Sequence, residues 1–472
     1  MTKKEFKKAM QCGLGRCIRA LDQSENIEKY YDIVLWGCTH NFSYDAQCEG
    51  IRSWYTYEMI KRFEDKLSFL KKIIYHYEKS ILKSGTGWEL AYISNLLVYF
   101  AIDGSQLAVD ALWRGYQKIY QILYERKRTS DSVFFIKEPF QELCIALTGL
   151  EKEKAGEVYL KIIEDMGNLY LYSPVFQNWN NAFSSFDDHC ECLYGKRNIN
   201  KIGKEKAKES QPVETYIAYK EEYKEEMECN RTNHRQQYPQ NATEVYEYLK
   251  NGLIKERDKS NRIIYLLSGR IFIRKNKIEE LQKLAKMYKE EKNPMLRARL
   301  LQVFTNSVCA FLLDPEVVIH DTKSEHETLS NQAFEALHYI HHEKVREYAY
   351  TMLHDKNHRE DVICMIANNY QKEDKKIFVD MVKSVPIVYH GDEDWHDVFF
   401  SVLDMFKNRA IKNPPKELLL YMYENTQCSC CRENILIEMG RRRMITKNIL
   451  MECLWDSNED IRSYAKRKIV TV

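Results

Sequence analysis

"NPMLRARLLQVFTNSVCAFLL", Asn293 to Leu313, decides the fold class. Asn293 can cap a helix with its side chain, and Pro294 suits the first helical position, whose N–H has no intrahelical acceptor in any case. Apolar side chains then fall at Leu296, Leu300, Val303, Phe304, Val308 and Phe311. That spacing of three and four gathers them on one face of a helix. The stripe returns in "HHEKVREYAYTML" (Val345, Tyr348, Ala349, Met352, Leu353) and in "SNEDIRSYAKRKI" (Ile461, Tyr464, Ala465, Ile469). Shorter helices are predicted near 358–370, 372–384, 394–407, 415–424, 430–440 and 445–455. Their short polar connections favour antiparallel neighbours.

Composition agrees with an all-α chain. The 472 residues include only 17 Gly and 9 Pro, too few for the many tight turns of sandwiches and barrels. The longest apolar run, "AYISNLLVYFAI" (Ala91 to Ile102), is too short to span a bilayer and reads as a buried helix, so no membrane association is expected. With 71 basic and 69 acidic residues the net charge is +2, which leaves no global field for nucleic acid; any such contact needs a local patch. The N-terminus lacks an apolar signal core, and the 14 Cys show no framework spacing. Reduced thiols in a cytoplasmic protein are expected.

Three helices share a local signature of an aliphatic residue, Arg, two residues, then Leu or Ala. It reads Leu296-Arg297-x-x-Leu300, Val345-Arg346-x-x-Ala349 and Ile461-Arg462-x-x-Ala465, the last with Asp456 six residues before its Arg. Glu291 and Ile340 hold that place in the other two. The pattern resembles the HEAT repeat, a helical hairpin with an Asp in its turn and an Arg near the start of its second helix. The resemblance implies an armadillo-type α-α superhelix of stacked hairpins, with units of about 40 to 50 residues. Physically, the aliphatic and small residues let two helices approach. The Arg at the edge can donate to turn carboxylates or carbonyls of adjacent repeats.

The same reading extends to "LWGCTHNFSYDAQCEGIRSWY" (Leu35 to Tyr55), where Ile51-Arg52-Ser53-Trp54-Tyr55 follows Asp45 by the same logic. Its dense polar set, Trp36, His40, Tyr44, Asp45, Glu49, Arg52 and Trp54, is the candidate binding region; the repeat reading makes it a hairpin corner. A thiolate nucleophile and its base drawn from Cys38, His40, Asp45 and Cys48 are the enzymatic alternative. The stretch from Tyr194 to Val245 is charged and interrupted by Pro212 and Pro239. It reads as a flexible insertion at 196–240 between helical arrays at 1–195 and 241–472.

Other constellations are looser. His189, Cys190, Cys192, Cys229 and His234 have the elements of a metal clip across the insertion, although Cys-x-Cys is not a zinc-knuckle spacing. Cys428, Cys430 and Cys431 read as buried or incidental thiols. His338, His341 and His342 lack the acidic partner of a metalloprotease motif. The glycines of "CGLGRC" and "KSGTGWE" lack a phosphate-loop context, so no nucleotide or other cofactor is expected. Arg441, Arg442, Arg443 and Lys447, with Lys466, Arg467 and Lys468, form the basic patch on which nucleic-acid binding would depend; Arg270, Arg274, Lys275 and Lys277 form another. A second likeness, to HEAT-like alkylpurine glycosylases, would need a cationic groove, yet the aromatic candidate Trp395 sits in the acidic run "HGDEDWHD". The sequence therefore leads to a non-enzymatic scaffold for a protein partner.

Overall fold

The computed structural model describes residues 1–81, 87–125, 134–151, 155–173, 184–233, 239, 241–254, 278–305, 310–387, 394–408 and 411–470. Every regular element among them is a helix. None is long and apolar enough to cross a membrane.

The deciding stretch folds as its caps dictate. The Asn293 side chain accepts the Leu296 N–H at 3.1 Å, Pro294 opens the helix Pro294–Gln302, and Leu296, Leu300, Val303 and Phe304 are buried. The helix ends sooner than its stripe suggests. Phe311 lies in a short 3-10 turn, Ala310–Leu312, and is 61% exposed, while Val308 lies outside the described residues. The other two signature helices are Glu343–Thr351, burying Val345 and Ala349, and Glu459–Ile469, burying Ile461 and Ala465. "AYISNLLVYFAI" ends the helix Gly87–Ile102, which is buried along most of its length.

The chain divides into two units, the first comprising Met1–Asn233, Gln427–Glu433 and Ile445–Val472, the second His234–Thr426 and Asn434–Met444. The last helices of the chain thus belong with the first. In the first unit the Ser457 N–H donates to the Gly13 carbonyl at 2.9 Å. Gly13 has φ +72°, and a Cβ there would lie 2.1 Å from Ser457 Oγ; one on Gly15 would lie 2.0 Å from the Glu452 carbonyl oxygen. Gly15 therefore lets backbone approach backbone, and Gly13 makes room for the Ser457 side chain. Arg16 completes the junction by donating to Glu452 at 2.9 Å, and the Arg62 guanidinium lies over the Trp455 ring.

The proposed insertion at 196–240 folds differently from expectation. Residues 196–233 belong to the first unit and form the helices Lys196–Ala207 and Gln211–Asn233. Ile199, Val213 and Tyr216 are buried, and Lys220 pairs with Asp187 at 2.7 Å in a nearly water-free position. Pro212 lies at the start of its helix, where proline is tolerated, rather than breaking one. High charge density concealed a narrow apolar stripe.

In the second unit the described elements are helices, from Ala242–Ile254 to Glu417–Asn425. Leu281, Leu284, Leu337, Ile363, Phe378, Phe399 and Leu418 are among its buried residues.

Candidate functional site

The corner around Arg52 lies in the first unit, between helix Tyr31–Thr39 and helix Ser53–Ile60, with the short helix Ala46–Glu49 in the turn. Arg52 is 3% exposed. Its Nη1 donates to the carbonyls of Gln11 (2.7 Å) and Phe42 (3.2 Å). Its Nη2 donates to Glu49 Oε2 (2.7 Å) and to the Gln427 carbonyl (2.6 Å). One guanidinium thus joins three separate chain segments and a buried carboxylate. Burial alone would push the Glu49 carboxyl up, but the Arg52 charge and hydrogen bond, with the backbone N–H groups of Asp45 and Ser429, hold it below the usual range. Both terminal guanidinium nitrogens of Arg52 are engaged, while its buried Nε has no acceptor among the described residues.

The remaining candidates surround this pair without forming a reactive set. Asp45 accepts the Cys48 N–H (3.3 Å) and so caps its own turn; the carboxylate that Arg52 grips is Glu49. Trp36 stacks on His40 with ring centroids 5.3 Å apart, and His40 Nδ1 lies 2.9 Å from the Trp36 carbonyl. Tyr44 is half-buried. Trp54 is covered by the Arg462 guanidinium, 3.8 Å from its ring centroid. Cys38 is buried with its thiol donating to the Val34 carbonyl, and burial pushes that thiol well up. Cys48 is exposed, but its hydrogen bond with Asp45 raises it too. Nothing here favours a thiolate nucleophile.

The same chemistry recurs wherever the Arg signature stands. Arg297 donates to the Tyr288 (3.1 Å) and Glu291 (2.9 Å) carbonyls of its own turn, and through Nη2 to Asp321 (2.5 Å), 24 residues ahead. Arg346 donates to Asp374 (2.7 Å), 28 residues ahead, and Tyr350 donates to the same carboxylate. Arg432, in the first unit, grips Asp456 with Nε (3.0 Å) and Nη2 (2.8 Å), again 24 residues ahead. Both side chains of that last pair are 0% exposed. Arg462 behaves as the carbonyl half of the pattern, donating to the Asp456 (2.8 Å) and Ser457 (2.9 Å) carbonyls. For Arg297 and Arg346 the sequence reading placed the acid on the wrong side: their carboxylate comes from the following helix pair, not the preceding turn.

Arg432 escaped the sequence reading because Cys431 fills the aliphatic place of the signature and Ile435 the place of Leu or Ala, giving Cys431-Arg432-x-x-Ile435. The rule would have found it had Cys been counted as apolar and Ile allowed in the last place.

Other candidates disperse. His189 is half-buried, and burial lowers its pKa; Cys190 is buried and Cys192 exposed. The Cys229 side chain and His234 lie outside the described residues, as do Arg270, Arg274, Lys275 and Lys277. His338 and His358 contact opposite oxygens of Asp361, at 2.8 and 2.9 Å. Trp395 is buried rather than lining a groove. Within the basic patch, Arg441 and Arg442 both pair with Glu438, and Arg442 also donates to the Phe406 carbonyl. Arg443, Lys447, Lys466, Arg467 and Lys468 are exposed. Arg441–Arg443 belong to the second unit and the other four to the first.

In comparison with known proteins, no family model matches the chain and no curated protein matches its sequence.

Proposed function

We propose that the chain is a cytoplasmic, HEAT-like helical scaffold that holds a protein partner and performs no chemistry of its own. The observation that supports this reading is the recurrent arginine tie, Arg297 to Asp321, Arg346 to Asp374 and Arg432 to Asp456. Repeat arrays are stabilised by contacts between neighbouring units, and such a tie fixes the angle between one helix pair and the next. A catalytic site would instead leave polar groups of the dense 35–55 stretch aimed at a cavity; there the strongest groups satisfy corner carbonyls.

Contact groups for a partner are present on consecutive helices of the first unit. Leu67 and Tyr75 on Lys66–Ser80, Trp88 on Gly87–Ile102, and Leu107 and Tyr124 on Gln106–Glu125 are all exposed. Exposed aromatic residues of this kind are the usual anchors of protein interfaces. The test is affinity capture from the native host with wild type, Tyr75→Glu and Trp88→Glu, each checked for an unchanged thermal melt. Loss of a captured protein in the variants supports the reading. A partner retained by both variants, or one displaced by nuclease treatment, counts against it, the latter in favour of nucleic acid on the exposed lysines and arginines.

A further inference from the structure

The segment "QCSCCR", Gln427 to Arg432, enters the helix Ser429–Arg441 with Cys428 and Cys431 in the C-x-x-C relation. Their sulfurs lie within 4.8 Å of each other. The Cys431 N–H donates to Cys428 Sγ at 3.4 Å. A third thiol, Cys430, reaches the Cys48 carbonyl at 3.6 Å, which brings the turn carrying Cys48 against the same corner. All four cysteines belong to the first unit.

From this geometry we infer that Cys428 and Cys431 form a dithiolate clamp for a thiophilic metal ion of the zinc class. Three physical points carry it. Two thiols three residues apart at a helix start form the ligand pair that tetrahedral zinc sites use most. With Zn–S near 2.3 Å, the tetrahedral angle puts such sulfurs about 3.8 Å apart, which needs only a small side-chain adjustment from the present separation. The backbone N–H pointing at Cys428 Sγ stabilises negative charge on that sulfur, as a bound thiolate requires. The two sulfurs supply half of a tetrahedral shell, and water or other side chains complete it.

Binding converts two thiols into two thiolates and releases two protons to solvent, so affinity must rise with pH.

The experiment uses the full-length chain, reduced and freed of metal by chelation, then titrated with Zn2+ against a chromogenic chelator and, separately, with Co2+. One tightly held Zn2+ per chain is expected, with a thiolate-to-cobalt charge-transfer band in the near ultraviolet. Cys428→Ser and Cys431→Ser should each lose the tight site and the band, while Cys192→Ser keeps both. Melting curves of the metal-free variants that overlay wild type separate ligand loss from misfolding; where a serine variant melts early, the cobalt band of Cys431→Ala replaces it. Loss of the site in Cys192→Ser, no tight zinc in wild type, or a Cys428–Cys431 disulfide that forms in air and is not prevented by zinc would each overturn the inference.

Discussion

Arg432 and Asp456 offer the most demanding test of the architecture. Both side chains are wholly buried, joined by two hydrogen bonds, and Asp456 also accepts the Asn458 N–H at 2.9 Å. Arg432→Met keeps most of the aliphatic stem but leaves a buried carboxylate with that backbone partner and without the cation hydrogen-bonded to it. Breaking one side of such a pair costs about 3–5 kcal/mol, because the remaining charge is desolvated without compensation. At about 2 °C per kcal/mol for a unit of this size, the melting temperature should fall by roughly 6–10 °C. Differential scanning calorimetry measures this directly. The double variant Arg432→Met/Asp456→Asn removes the stranded charge while its amide oxygen can still accept the Asn458 N–H, so it should recover at least half the loss. A fall of less than about 2 °C in the single variant would refute the assignment of this pair as a structural tie. Equal melting of the single and double variants would show that stranded charge is not the cause.

Three further outcomes follow from the same corners. Arg52→Ala should destabilise by about 3 kcal/mol or more, since it orphans three carbonyls and strips Glu49 of its partner, and Arg52→Lys should rescue little because one ammonium cannot span the fork; urea unfolding midpoints report both. Arg462→Ala should cost less, about 1–3 kcal/mol, because it loses two carbonyl contacts and the cover of Trp54 but strands no charge, read from the same unfolding curves. At Asp374 burial alone would raise the carboxyl, but hydrogen bonds from Arg346, Tyr350 and the Gln371 backbone hold it below its ordinary value. Its contribution is therefore complete above about pH 4, the unfolded value, and is lost as the pH falls through the lower folded value. Asp374→Asn should flatten the acid limb of a melting-temperature profile, while Glu452, raised by burial, acts with the opposite sign.

Thiol accessibility separates the cysteines of the opening corner without any activity assay. Iodoacetamide applied to the native protein should modify exposed Cys192 rapidly and leave buried Cys38 unmodified until denaturant is added. Cys48 should lag behind Cys192, because its hydrogen bond with Asp45 disfavours the thiolate. Rapid native labelling of Cys38, read by peptide mass spectrometry, would contradict its burial and reopen the stretch to nucleophilic chemistry.

What could be read from the chain in advance depended on how local the determining physics is. Helix identity is local: the Asn293 cap, Pro294 and the spacing of Leu296, Leu300 and Val303 act within two turns, and the helices near 358–370, 394–407 and 430–440 stand close to where they were expected. Arg52, Arg297, Arg346 and Arg462, though not Arg432, were legible for the same reason, since each sits at a fixed distance from its own apolar neighbours. Their acceptors were not. Asp321, Asp374 and Asp456 lie 24 to 28 residues beyond their arginines, a separation set by the length of a whole helix pair. Glu49, only three residues from Arg52, was legible as a partner in principle, yet the repeat analogy drew attention to Asp45 instead. The return of Gln427–Glu433 and Ile445–Val472 to the first unit had no local signature of its own except two glycines. Gly13 and Gly15 are uninformative as a motif and become necessary only once the Glu452–Ser457 backbone lies against them. A substitution such as Gly15→Ala, invisible to any argument from helix propensity, should therefore be among the most disruptive single-methyl changes in the first unit. The added carbon meets a backbone carbonyl and the Trp455 backbone, neither of which can rotate away.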